Sequence, residues 1–208
     1  MLLPIGTDRP LARPTLVTIA LIIANVAVYS TGQAIGRVDP ERIKALGDLL
    51  TLDPDNFRWW GLFSYAFLHG GLWHLLGNMV FLWVFGPNVE DRFGRIWFLV
   101  FYLVGGAAAG GFHAMFNPSP VIGASGAIAA VTGAYLVLFP RTMIKTLFLI
   151  FFSLINVPAT WFIGARIAWD LYSAGGGWSG NVATGAHLAG YGFGVAVGPD
   201  VIVTTSGV

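Results

Sequence analysis

A serine in a glycine-rich turn is the first residue whose setting suggests chemistry. Ser125 lies in the run GASG at 123–126, after a loop at 117–120 and before an apolar stretch. A helix that begins near Ser125 leaves its first backbone N–H groups unpaired around the hydroxyl. Those groups and the helix dipole can hold a developing oxyanion. The alternative is that Ser125 only caps the helix, a common role for serine.

A histidine near the end of the chain is the second candidate. His187 lies in the run AHLAGYGFG at 186–194, in which small residues recur every four positions. Such a stripe lets two helices touch, and the segment that follows the GASG run carries a matching one. The two stripes are Ala186, Gly190 and Gly194, and Ser125, Ala129 and Gly133. If they face each other, Ser125 and His187 come close, as a nucleophile and its general base require. The alternative is a histidine that only hydrogen-bonds a neighbouring helix.

Two further polar side chains share one face of a predicted helix. His74 and Asn78 are four residues apart, and both can donate hydrogen bonds. They suit an oxyanion hole made of side chains, although interhelical hydrogen bonding would also explain either one. His69 is expected to be structural, and His113 has no assigned role.

Other chemistries have little support in the sequence. Because no Asp or Glu falls well inside a predicted span, we expect a Ser–His pair without a third carboxylate member. Asp170 is expected outside the membrane, and Glu90, Asp91 and Asp200 on the side of the termini. The histidines are scattered and cysteine is absent, which disfavours zinc and excludes disulfides and thiolate catalysis. No phosphate-binding or dinucleotide fingerprint is present, and no metal or cofactor is expected.

The composition indicates the environment in which these residues work. Of the 208 residues, 56% are hydrophobic and only 10% are charged, against about 25% charged in soluble domains. A soluble fold this apolar could not cover its surface with polar groups, so the chain is predicted to be an integral, multi-pass membrane protein. The net charge of +1 argues against a nucleic-acid partner.

Six stretches are long and apolar enough to predict spanning helices. They lie at 15–36, 70–87, 95–116, 123–140, 145–166 and 183–204. The predicted fold class is therefore all-α, a polytopic bundle of six transmembrane helices. The organisation is a short N-terminus at 1–14, a membrane domain at 15–204 with a long first loop at 37–71, and a tail at 205–208.

The basic residues predict an orientation for this bundle. The side that holds the termini would carry most of the arginine and lysine in short loops, which favours the cytoplasm for that side. Those residues are Arg9, Arg13, Arg92, Arg95, Arg141 and Lys145. The short tails favour a prokaryotic plasma (inner) membrane.

Taken in order, these motifs resemble the rhomboid family of intramembrane serine proteases. The resemblance runs from about Trp60 to Gly194. It includes an aromatic first loop that ends in FLHGG at 67–71, an H-x-x-x-N motif at 74–78 and a glycine-rich turn at 86–94. The G-x-S-G motif at 123–126 and the A-H-x-x-G-x-x-x-G motif at 186–194 follow.

The resemblance implies a role for each matched residue. Ser125 would be the nucleophile and His187 the general base, while His74, Asn78 and the Ser125 amide would form the oxyanion hole. The substrates would be single-span membrane proteins, cut in or near their membrane segment. A rhomboid-like protein that has lost catalysis and binds or escorts membrane clients is the alternative. The oligomeric state is not predicted.

Two positions depart from the family pattern. Trp60 is followed by Gly61 where many members carry arginine, and the nearest arginine is Arg58. Ala129 stands where some bacterial members place a tyrosine that packs on the histidine, so Tyr191 or backbone packing is expected to orient His187 instead.

The fifth predicted helix is expected to be the substrate gate. It is bulky and lipid-facing, and Pro158 is expected to weaken it. Its large side chains are Phe148, Phe151, Phe152, Trp161 and Phe162.

Overall fold

The computed structural model describes residues 2–148, 153–177 and 184–205, and most of them are helical. The helices are α1 (Leu16–Val38), α2 (Pro40–Leu50), α3 (Gly61–Ser64), α4 (Leu72–Phe93), α5 (Arg95–Phe116), α6 (Ser125–Leu138), α7 (Ala159–Tyr172) and α8 (Thr184–Thr205). A 3-10 turn at Tyr65–Phe67 follows α3. Three strands, β1 (Leu2–Thr7), β2 (Met143–Phe148) and β3 (Ser153–Pro158), form one antiparallel sheet in the order β1-β2-β3.

Within the described ranges, two helices are long and apolar enough by themselves to cross a membrane. They are α1 and α5, and the bent pair of Gly61–Phe67 and Leu72–Phe93 qualifies as a third span when counted together, with 99° between its parts. The helix α6 is apolar but shorter, with 14 residues. The predicted all-α, polytopic fold class is confirmed.

The prediction for the fifth span was wrong in its first half. Residues 145–166 were expected to be one helix, but the chain forms β2 and β3 before α7 begins at Ala159. Between Lys145 and Arg166 the run has no charged residue, and a short apolar run fits a strand as well as a helix. The strand β1 supplies a partner for β2 that periodicity does not reveal. Pro158 precedes α7 as its N-cap residue and does not weaken its middle. Phe151 and Phe152 lie outside the described residues.

The glycine-rich turn at 86–94 was also predicted wrongly, because α4 continues through Pro87 to Phe93. The chain turns only at Gly94, whose φ of 80° favours glycine. Close contact with α1 supports these last turns. A Cβ at Gly86 would lie 2.9 Å from Cγ2 of Thr18.

Small residues bring α8 directly against α6, as the sequence predicted. A Cβ at Gly190 would lie 2.8 Å from Cβ of Ala129 and would also collide with the backbone of α6. One at Gly194 would lie 2.7 Å from the backbone nitrogen of Ala134, and one at Gly133 would lie 2.5 Å from the carbonyl oxygen of Tyr191. The two backbones are therefore too close for larger side chains at these points.

The centre of the bundle is α6, because α5 packs on it from another side. A Cβ at Gly105 would lie 2.7 Å from Cβ of Ala130, and one at Gly106 would lie 3.1 Å from Cβ of Ala127. All ten residues from Gly126 to Tyr135 are buried. The start of α6 is thus fixed by neighbours on both sides.

The start of α6 is recessed relative to the end of α5. A Cβ at Gly126 would lie 2.8 Å from Cβ of Ala109, so the two residues are level. Beyond Ala109, α5 continues to Phe116, which at 1.5 Å per residue amounts to about 10 Å. Ser125 therefore lies about one and a half to two helical turns below that end of the bundle.

At the opposite end, two carboxylates of α4 hold the N-terminal segment. Glu90, 2% exposed, accepts hydrogen bonds from the backbone of Val17 and from both the backbone N–H and the hydroxyl of Thr18. Asp91 accepts from the backbone of Ala12 and Arg13. Negative charge at the first turn of α1 complements the positive end of its dipole.

The long first loop is anchored to the end of α2 by three side chains. Arg58 donates to the carbonyl of Asp48 at 2.7 Å, Trp60 donates through Nε1 to Leu49 at 3.0 Å, and Ser64 donates to Leu50 at 2.6 Å. These carbonyls end a helix and lack partners within it, so the side chains satisfy them. Arg58 thereby anchors the loop two residues before Trp60, although Gly61 takes the usual arginine position.

Candidate functional site

The backbone leading to Ser125 is held from two sides. Val121 and Leu52 exchange two backbone hydrogen bonds, which tie the loop before α6 to the first loop. The N–H of Gly123 donates to the carbonyl of Tyr65 at 2.9 Å, and the Tyr65 hydroxyl donates to Gly106 on α5 at 2.8 Å. The turn that presents Ser125 is consequently part of the packed structure.

Ser125 is the first residue of α6, and the N-cap residue is Ala124. Its side chain is partly exposed to the cavity described below. The predicted start of the helix is confirmed, and the capping alternative for Ser125 is wrong. The unpaired N–H groups of the first turn surround the hydroxyl, as the geometry of any helix start requires.

His74 and Asn78 converge on Gly123. A Cβ at Gly123 would lie 2.7 Å from Nε2 of His74 and 3.8 Å from Nδ2 of Asn78. Asn78 is 8% exposed, and its Nδ2 has no hydrogen-bond partner among the residues that the structure describes. Buried amide donors are rarely left unpaired, so this one is available for a group that enters from the cavity.

His187 lies beside the start of α6. Its neighbour Ala186 has its Cβ 3.9 Å from the position of a Cβ at Gly126. The imidazole is buried, with 6% of the residue exposed. The predicted side-by-side arrangement of the two small-residue stripes therefore brings the serine and the histidine to the same level.

All four predicted site residues line one cavity of about 940 Å³. It lies between α4, α6, α7 and α8 and reaches the loop before α6. Besides Ser125, His187, His74 and Asn78, its lining includes Gly70, Trp73, Gly77, Phe81, His113, Asn117, Ser119, Pro120, Val121, Ile122, Ile128, Ala129, Thr132, Arg166 and Tyr191. The volume is in the range of sites that bind a short peptide segment or a small ligand.

A carboxylate stands beside the histidine, contrary to the expectation from the sequence. Asp170 lies on α7, and its Oδ2 is 3.2 Å from Nδ1 of His187. The fifth helix was predicted to end at residue 166, which placed Asp170 outside, but α7 continues to Tyr172. Asp170 is 1% exposed. The spacing of Arg166 and Asp170, four residues apart on a helix, was the signal that could have revealed the pair.

Arg166 and Tyr191 complete the hydrogen bonding of this carboxylate. Arg166 forms an ion pair with Oδ1 of Asp170 at 3.1 Å, and the Tyr191 hydroxyl donates to Oδ2 at 3.3 Å. Either Tyr191 or backbone packing was expected to orient His187, and the Tyr191 hydroxyl bonds to the carboxylate that faces the imidazole. The side chains that surround the Nδ1 edge of His187 thus come from α7 and α8.

The two remaining histidines have other partners. Nε2 of His113 is 2.9 Å from the carbonyl oxygen of Ser119 and orders the loop before α6. His69 packs edge-on against His74, with ring centroids 5.1 Å apart. Among residues 2–148, 153–177 and 184–205, no three His, Asp or Glu side chains form a group that could hold a metal ion.

A comparison with protein families agrees with the order of the motifs. The family model of the rhomboid domain matches residues 56–202, which is more than half of the chain. The match includes the turn at Gly123, all four predicted site residues and Asp170. The resemblance stated from the motifs is confirmed: the chain belongs to the rhomboid family.

Proposed function

We propose that this protein is an intramembrane serine endopeptidase. Ser125 is the nucleophile and His187 the general base. His74, Asn78 and the backbone amide of Ser125 form the oxyanion hole. The observation that carries the proposal is that these four side chains, which come from α4, α6 and α8, line one recessed cavity.

The chemistry follows from the types of the four residues. His187 takes the hydroxyl proton as Ser125 attacks the scissile carbonyl, and the oxyanion accepts hydrogen bonds from His74, Asn78 and the backbone. His187 then gives the proton to the leaving amine, and a water molecule resolves the acyl-enzyme. Asn78 supports this role because its buried Nδ2 finds no hydrogen-bond partner in the described part of the chain.

The depth of the site favours a membrane-embedded substrate. Ser125 is about 10 Å below the end of α5, so a peptide bond must enter the bundle to reach it. Single-pass membrane proteins cut in or near their membrane segment are the substrates that we propose. They would enter from the lipid between α4 and α7, where Phe81 and Phe162 are in contact, with ring centroids 6.2 Å apart.

We propose that the termini face the cytoplasm of a prokaryotic cell, in the plasma membrane. The N-terminal strand β1 pairs with β2, and Arg9 forms an ion pair with Asp91 at 3.4 Å. These contacts gather most of the short-loop basic residues at one end of the bundle. That asymmetry is typical of a cytoplasmic face.

Labelling with a fluorophosphonate tests this proposal against a client-binding rhomboid-like protein. The probe reacts only with a serine that its surroundings activate. We expect the purified protein to be labelled, and Ser125→Ala and His187→Ala to remain unlabelled while folded. A folded protein that is never labelled would favour the client-binding alternative.

A further inference from the structure

We propose that Asp170 is the positioning residue of His187, so that the site contains a Ser–His–Asp arrangement. The carboxylate fixes the ring and the tautomer of His187 and leaves Nε2 free to act toward Ser125. This inference rests on the proposed function for its catalytic consequence, while the hydrogen bond itself can be tested separately.

The contact has the geometry and the burial of a functional hydrogen bond. Oδ2 of Asp170 lies 3.2 Å from Nδ1 of His187, and only 2% of the Asp170 side chain and 8% of the His187 side chain are exposed. Water therefore does not compete strongly for either group. A carboxylate in such a place acts more strongly on the imidazole than it would in solution.

The tautomer follows from the groups around Nδ1. An ionised carboxylate only accepts hydrogen bonds, so Nδ1 must carry the hydrogen in order to bond with Asp170. Arg166 only donates, and its Nη2 is 3.5 Å from Nδ1 of His187. The same guanidinium has a nearer acceptor in Oδ1 of Asp170 at 3.1 Å. The arrangement in which Arg166 pairs with Asp170 and Nδ1–H donates to Asp170 satisfies all three groups.

Arg166 supplies the charge that a buried aspartate needs. An unpaired buried carboxylate is strongly unfavourable, whereas one that accepts from an arginine and from other donors is tolerated. Arg166 pairs with one oxygen, and His187 and the Tyr191 hydroxyl donate to the other. The carboxylate is thus held ready to stabilise the imidazolium that forms when His187 takes the serine proton.

The direct test replaces the carboxylate by its amide in the full chain. In soluble serine proteases, the corresponding change lowers kcat about 10⁴-fold while the geometry is kept. We expect Asp170→Asn to lower the fluorophosphonate labelling rate and the kcat for a transmembrane substrate by about 100-fold or more, with KM nearly unchanged. Asp55→Asn makes the same chemical change at an exposed position of the first loop and should have no effect.

A second readout does not depend on activity. The chain contains four histidines, so the ring nitrogens of His187 can be assigned in ¹⁵N-histidine NMR spectra by their loss in His187→Gln. We expect a protonated Nδ1 in the parent and a changed or mixed tautomer in Asp170→Asn. If Asp170→Asn does not fold, the double variant Arg166→Gln with Asp170→Asn is used in both measurements, because it removes both charges of the ion pair.

The outcomes separate this inference from the proposed function. A parent that is not labelled but whose His187 tautomer depends on Asp170 would refute the protease and support the positioning contact. A parent that is labelled, with Asp170→Asn labelled equally fast, would overturn the positioning role. An unchanged tautomer in Asp170→Asn would overturn it as well.

Discussion

The imidazole of His74 lies directly against Gly123, two residues before the proposed nucleophile Ser125. A Cβ on residue 123 would be 2.7 Å from Nε2 of His74 and 2.8 Å from its Cε1. Gly123 also has a φ of 121°, which L side chains rarely adopt. The glycine is needed both for the backbone path and for the close approach of α4.

The first prediction concerns this glycine. Gly123→Ala should move His74 or the turn at Ser125 and lower kcat/KM by about 100-fold or more, comparable to the loss of one oxyanion donor. Cleavage kinetics in detergent measure the effect. The matched control is Gly164→Ala on α7, where a Cβ would meet no atom of the described residues within 4 Å. Equal activity of both variants would show that the turn is not part of the site.

The second prediction separates an oxyanion donor from a structural amide. Asn78→Ala should lower kcat/KM by about 10²- to 10³-fold. It should leave the Tm almost unchanged, because the lost Nδ2 donor has no partner within residues 2–148, 153–177 and 184–205. Asn25→Ala is the control for a structural amide, because Nδ2 of Asn25 donates a hydrogen bond to the carbonyl of Leu21 within α1. A large fall in Tm and full activity for Asn78→Ala would instead indicate interhelical hydrogen bonding.

The third prediction concerns the contact between α6 and α8. Gly190→Ala should destabilise the protein by about 1–3 kcal/mol, because the added methyl group collides with the backbone of α6. Thermal unfolding in detergent measures this loss. The control is Gly192→Ala, two residues further along α8, whose Cβ would have none of the described atoms within 4 Å. Equal Tm values for the two variants would contradict the packing of these helices.

The fourth prediction concerns the buried carboxylate at the opposite end. Glu90→Gln keeps the size of the side chain but removes the charge that Val17 and Thr18 bind, and hydrogen bonds to charged groups contribute about 1.5–3 kcal/mol each. We expect a lower Tm with unchanged kcat, since Ser125 lies at the other end of the bundle. Glu41→Gln on the exposed face of α2 is the control.

The fifth prediction tests the proposed gate between α4 and α7. The chain has no cysteine, so Phe81→Cys with Phe162→Cys creates a unique pair for a short thiol cross-linker. Cross-linking should stop cleavage of a transmembrane substrate but leave fluorophosphonate labelling of Ser125 intact. Each single variant, treated with the same reagent, is the control. Undiminished cleavage by the cross-linked protein would exclude entry between these helices.

The sequence predicts the parts of the site that depend on local spacing. The four-residue spacing of His74 and Asn78 and the two small-residue stripes specify which helix faces meet, because a helix repeats on that scale. The bounds of α5 also agree with the prediction. The observed contact line on α6 is slightly rotated from the expected stripe, because Gly190 and Gly194 also contact Ala130 and Ala134.

The sequence does not predict the features that depend on distant pairing. The strand β2 lies between its chain neighbour β3 and β1, and β1, about 140 residues away along the chain, supplies the hydrogen-bond partner that local sequence does not reveal. Because the first half of the predicted fifth span forms strands of the sheet, α7 begins and ends later in the chain than the predicted helix at 145–166. That shift moves Asp170 from the expected outer loop to the side of His187. An error in one helix boundary therefore concealed the carboxylate of the site.

Cleavage of a single-span substrate in proteoliposomes tests the central claim most directly. The parent protein, Ser125→Ala and His187→Ala are compared, with folding of each variant checked by its Tm. We predict cleavage by the parent and none by either variant, since the serine and the histidine act as one unit. Cleavage by folded Ser125→Ala at the parent rate would contradict the assignment of Ser125 as the nucleophile.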